Sequence, residues 1–107
     1  MNNPGIGNER YLAPEGVGMI SVTMVDVETY EVVVEGETET SHRVRMSAHY
    51  YKKLCGGTMT QEWVIVQSFK FLLEREPNTS ILASFDLPDI SRYFPEFETE
   101  MADRLRQ

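Results

Sequence analysis

TQEWVIVQSFKFLLERE, residues 60–76, is the stretch that any fold of this chain has to accommodate. Projected at the α-helical period, Ile65, Val66, Phe69, Leu72 and Leu73 fall on one broad apolar stripe. Val64 and Phe71 form a narrower stripe on nearly the opposite side, and Trp63 sits between the two. A helix with one stripe covers one core; a helix with two is sandwiched, inside the fold or against a partner chain. Leaving Val64 and Phe71 in water would forfeit roughly 3 kcal/mol or more of burial. Either residues 81–97 fold back over them or the same helix of a second copy does. Because residues 81–97 must also bury apolar side chains of their own, the second stripe points to a weak homodimer about a two-fold axis. Val64, Phe71 and Trp63 are then its partner-binding residues.

The flanks of the helix are punctuated. Thr60, or Thr58 with Gln61, can cap its start, and Pro77 ends it by biasing Glu76 out of the helical region. Upstream, Ser47 is an N-cap for a short helix over residues 48–55, which Gly56-Gly57 closes through the left-handed conformation. Downstream, residues 78–80 can start a turn of helix carrying Ile81, Leu82 and Phe85. Asp86 can cap a further helix from Leu87 to Phe94, and residues 96–107 read as a mostly polar helix with a thin line of Phe97, Met101 and Leu105.

Ahead of the helices the period changes to two. Ile20, Val22 and Met24 alternate with Ser21 and Thr23, and Tyr30, Val32 and Val34 with Glu31, Val33 and Glu35. Val44 and Met46 then face inward while Arg43 and Arg45 face out. Links this short allow only antiparallel pairs, so a three-stranded antiparallel sheet with one wet face is expected over about 19–47. Residues 1–17, rich in Gly, Pro and Asn, read as a mobile tail ahead of a single domain over 18–107. The fold class is α+β, with the 60–76 helix packed across the sheet.

Charge and composition bound the function. The net charge of −7 is uneven: residues 1–40 hold eight acidic side chains and one basic, whereas 41–76 hold six basic and three acidic. An acidic total argues against nonspecific nucleic-acid binding, while the basic middle keeps one such reading open. No apolar run approaches the roughly 20 residues of a membrane helix. The single Cys55 fits a reducing compartment and the N-terminus does not read as a signal peptide, so a cytoplasmic location is expected.

Chemistry-bearing patterns are weak. His42, His49 and Cys55 lack the paired spacing of a structural zinc site and read as surface histidines and a packed thiol. Cys55 falls in the last turn of a helix, where the dipole disfavours a thiolate. Glu96, Glu98 and Glu100 read as a solvated face rather than an acid–base pair. Gly56-Gly57 has neither the lysine nor the spacing of a phosphate loop. No catalytic, metal or cofactor residue is assigned.

Two resemblances bear on the reading. Residues 68–98, SFKFLLEREPNTSILASFDLPDISRYFPEFE, resemble a group of small bacterial proteins of uncharacterised function that share an FLLEREP…SIL…FDL…YFPEFE pattern. That resemblance implies a bacterial origin and a shared fold, and no activity. Residues 41–76 more loosely resemble ribbon-helix-helix DNA-binding proteins, with HRVRMS as the ribbon and AHYYKKLC as the first helix. Such ribbons pair between two subunits and would place Arg43 and Arg45 in the major groove. The expected function is therefore a non-enzymatic protein-interaction module with an unidentified protein partner. The alternative is a DNA-binding dimer that reads bases through Arg43 and Arg45.

Overall fold

A computed structural model of the chain describes the backbone of residues 8–12 and residues 18–106 with their side chains. The fold is α+β, in the order β1 (Asn8–Leu12), β2 (Met19–Asp26), β3 (Thr29–Val34), β4 (Thr40–Arg45), α1 (Ala48–Cys55), α2 (Gln61–Leu73), β5 (Ser84–Asp86), α3 (Ile90–Tyr93) and α4 (Phe97–Leu105). The five strands form one sheet in sequence order, β1 to β4 antiparallel and β5 parallel to β4.

The expected three strands are the centre of this sheet, which is wider by one strand on each side. At one edge, residues 8–12 lie within the span read as a mobile tail and instead pair with β2, Asn8 opposite Thr23 and Leu12 opposite Met19. Composition misses such a strand because the backbone supplies the pairing, whatever the side chains have to bury. The rest of the expected tail lies outside the described residues. At the other edge, Ser84–Asp86 were expected within a helical turn. They form β5, joined to β4 by the crossover through α1 and α2 that a parallel pair requires.

Caps set the helices as their sequence dictates. The Ser47 hydroxyl accepts from the Tyr50 N–H at 3.0 Å, and Gly56 closes α1 at φ 66°. The Thr60 hydroxyl accepts from the Trp63 N–H at 3.0 Å. Helix α2 ends at Leu73, earlier than Pro77 requires, and residues 78–80 form a 3-10 turn.

Helix α2 packs on β2 with one side and on α4 and α1 with the other. Phe69 meets the sheet, its ring 5.4 Å from His42 and 6.1 Å from Phe85. Phe71 faces away, against Phe97 at 5.1 Å and Phe94 at 5.9 Å. Even the buried Ser68 is satisfied, its hydroxyl donating to the Val64 carbonyl at 2.8 Å. The thin line of α4, Phe97, Met101 and Leu105, is buried in full. Among the described residues no helix is long and apolar enough to cross a membrane.

This arrangement corrects the partner assignment made from the second stripe. Val64 and Phe71 are both 0% exposed within the single chain. Phe94 and Phe97 cover Phe71 where a second copy was expected to, Val64 lies in the same core, and Trp63, half-buried, lies at its edge with Lys70 5.5 Å from its ring. The apolar supply of the C-terminal segment suffices because Arg75 and Arg104 extend the lid. The Arg75 guanidinium lies 3.6 Å from the Phe71 ring centroid, bonded to the Phe71 carbonyl and to Glu96, and Arg104 pairs with Glu74.

Phe71→Ala is expected to cost about 3–5 kcal/mol in chemical denaturation, as deletion of a fully buried aromatic does. Phe71→Glu is expected to unfold the chain. A variant that sediments as a folded monomer from a dimeric parent would return Phe71 to an interface.

Candidate functional site

An apolar groove of about 400 Å3 opens where the end of α2, the segment leading into β5 and the helix α3 meet. Its floor is the buried Leu72, Ile81, Phe85 and Ile90. Its rims are Leu82, 51% exposed, and Tyr93, 66% exposed, two large apolar side chains that the fold leaves in water. Two carboxylates, Glu76 and Asp89, join the lining, and among the described residues no Lys, Arg or His does.

The wall carrying Leu82 is held to the sheet by a chain of hydrogen bonds. Nδ1–H of the buried His42 donates to the Leu82 carbonyl at 2.8 Å, which leaves Nε2 as the acceptor for the Thr40 hydroxyl at 2.9 Å. The Thr40 oxygen in turn accepts from Asn78 Nδ2 at 2.9 Å, and the same amide donates to the Thr38 carbonyl at 2.8 Å. Every partner is satisfied with a neutral imidazole. Burial holds the His42 pKa below the ordinary value, against the opposing pull of the Leu82 carbonyl. His42, read from sequence as a surface residue, is thus a structural clamp behind the groove.

The two carboxylates differ in their surroundings. Asp89 is committed: it accepts from the Asp86 backbone N–H at 3.3 Å, capping the turn into α3, and lies 4.0 Å from Arg92. Glu76 is half-buried, and among the described residues no cation or hydrogen-bond donor meets its side chain. Desolvation pushes its pKa above the usual carboxylate value.

The other sequence candidates lie elsewhere. Arg43 and Arg45 do occupy the wet face of the sheet, but Arg43 pairs with Glu31 at 3.2 Å, and Arg45 lies 3.9 Å from both Glu28 and Asp86. β4 bonds to β3 along one side, and its residues 43–45 bond to β5 on the other, where the ribbon-helix-helix likeness would put the strand of a second subunit. Glu96 and Glu98 are not a free acidic run: Glu96 bonds to Arg75, and Glu98 accepts from the Tyr50 hydroxyl at 2.8 Å beside Lys53 at 3.4 Å. No group of three or more His, Cys, Asp or Glu side chains that could hold a metal ion occurs among the described residues. A second depression, of about 580 Å3, lies between the α1–α2 turn and the end of α4, with Cys55 in its wall.

Two titrations follow from this geometry. With its folded-state pKa depressed, His42 binds fewer protons in the folded than in the unfolded chain, so stability is expected to fall as pH drops below about 6.5. A thermal-melt series should show that loss flattened in His42→Asn. Glu76 has the opposite sign: its pKa is raised on folding, so its cost is absent below pH 4.5 and complete once pH exceeds the folded-state value. Glu76→Gln is therefore expected to melt above the parent at pH 7, the gap closing towards pH 4.5.

Comparison of the chain with protein-family models, with curated proteins and with solved structures finds no match, so neither resemblance noted in the sequence gains support from it.

Proposed function

We propose that this chain is a non-enzymatic protein-interaction module and that its groove receives an apolar segment of a protein partner. The observation that carries the reading is the pair Leu82 and Tyr93, both exposed on the rims of a groove whose floor is apolar. Full burial of a large apolar side chain is worth about 1.5–3 kcal/mol, of which a partner gains the share that the isolated chain leaves exposed. Concave apolar surfaces with few polar groups are the usual form of a binding site. Catalysis is not proposed. Of the two carboxylates in the groove, Asp89 is engaged in a helix cap, so the described lining offers Glu76 no second free carboxylate with which to form an acid–base pair.

Duplex DNA is not the partner proposed. Both candidate reading arginines lie within reach of carboxylates, and the whole chain is acidic. A cytoplasmic location accompanies the reading, since the lone free cysteine suits a reducing compartment.

The reading is tested by affinity capture with four forms of the chain: the parent, Leu82→Asp, Tyr93→Asp, and Val27→Asp at an exposed position on the β2–β3 turn. A partner retained by the parent and by Val27→Asp but lost from both groove variants is the expected result. Capture indifferent to Leu82 and Tyr93 would show that the groove is not the docking site.

A further inference from the structure

Resting on the reading that the groove binds a protein segment, we infer that this segment carries a lysine or arginine set among apolar residues, with its cation placed against Glu76. Three observations point the same way. Glu76 is the groove's uncommitted charge, half-buried and without a partner among the described residues, whereas Asp89 already serves the cap of α3 and Arg92. Among the described residues the lining offers a ligand no cation, so a phosphate or a carboxylate would enter against two carboxylates. The chain as a whole carries −7, which draws cationic segments towards it before contact.

The geometry also explains why the charge belongs among apolar groups. Glu76 follows the C-terminal end of α2, where the helix dipole adds negative potential. Leu72 and Ile81 share its lining, so its carboxylate has lost part of its hydration before anything binds. A cation brought there gains Coulomb attraction at a partly desolvated carboxylate, stronger than in open water once the segment covers the groove, and offsets a cost that the free chain carries. A purely apolar segment would cover Leu82 and Tyr93 but would seal Glu76 away unpaired, which is unfavourable. An apolar segment with one long basic side chain satisfies both parts of the groove, its methylenes lying on the floor and its head reaching the carboxylate.

The test uses the whole chain and a random dodecapeptide library displayed on phage, panned on the parent and counter-selected on Leu82→Asp. Selected peptides, and analogues with their basic residue changed to methionine, are then titrated calorimetrically against the parent and Glu76→Gln. Groove-dependent peptides enriched in Lys or Arg are expected. Glu76→Gln should weaken such a peptide about tenfold while leaving its methionine analogue nearly unchanged, the coupling expected of a close charge pair. Groove-dependent peptides without basic enrichment, or an equal effect of Glu76→Gln on both forms, would overturn the charge assignment and leave the docking reading standing. An absence of any peptide sensitive to Leu82→Asp would overturn both.

Discussion

Burial of α2 on every side is the constraint from which the rest of the molecule follows. A helix carrying Phe69 towards the sheet and Phe71 away from it cannot rest as the outer layer of a two-layer fold. It needs a second covering, and the chain supplies one from α3, α4 and two arginines. That requirement explains why so polar a terminal segment is ordered: Phe97, Met101 and Leu105 are few, but they meet a surface that has to be closed. It also explains the ion pairs around Arg75 and Arg104. Exposed salt bridges add little by themselves, but here they hold the Arg75 and Arg104 guanidinium groups beside the Phe71 ring.

The distribution of charge is the second organising fact. Within the locally basic middle of the chain, the two arginines of β4 gain acidic neighbours once the sheet forms. Glu31 sits opposite Arg43 across β3 and β4, and Asp86 comes alongside Arg45 through β5. Two arginines that stand out along the sequence thus have cross-strand acidic neighbours in the fold. The acidic surplus that remains is spread over the surface, with one carboxylate left in an apolar setting.

Most of the fold was legible because it is written locally. Ser47 and Gly56 bracket α1, Thr60 starts α2, and strict alternation marks the three central strands; each signal needs only neighbours within a few residues. The edges were not legible. β1 has little apolar pattern and is recruited by the open edge of β2, while β5 is three residues long and acquires its strand character from β4, some forty residues earlier. The second stripe of α2 was read correctly as needing cover, but which surface covers it is a tertiary question. The groove was hidden for the same reason. Glu76 and Leu82 lie in the segment between α2 and β5 and Tyr93 lies in α3, and each looks ordinary by itself; that Glu76 lacks a partner among the described residues is visible only once its neighbours are placed.

The clamp that joins Asn78, Thr40, His42 and Leu82 has a consequence for the order in which the molecule is built. The pairs within β2, β3 and β4 close short loops and can form early, whereas the clamp and the β4–β5 pairing close loops of about forty residues and gain nothing until α1 and α2 lie across the sheet. The groove wall is thus among the last parts assembled and, by the same reasoning, among the first to detach in native-state fluctuations. Amide hydrogens of residues 78–86 should exchange by sub-global opening while those of β3 wait for global unfolding. A recognition surface placed there can yield to an incoming segment without disturbing the layer beneath it.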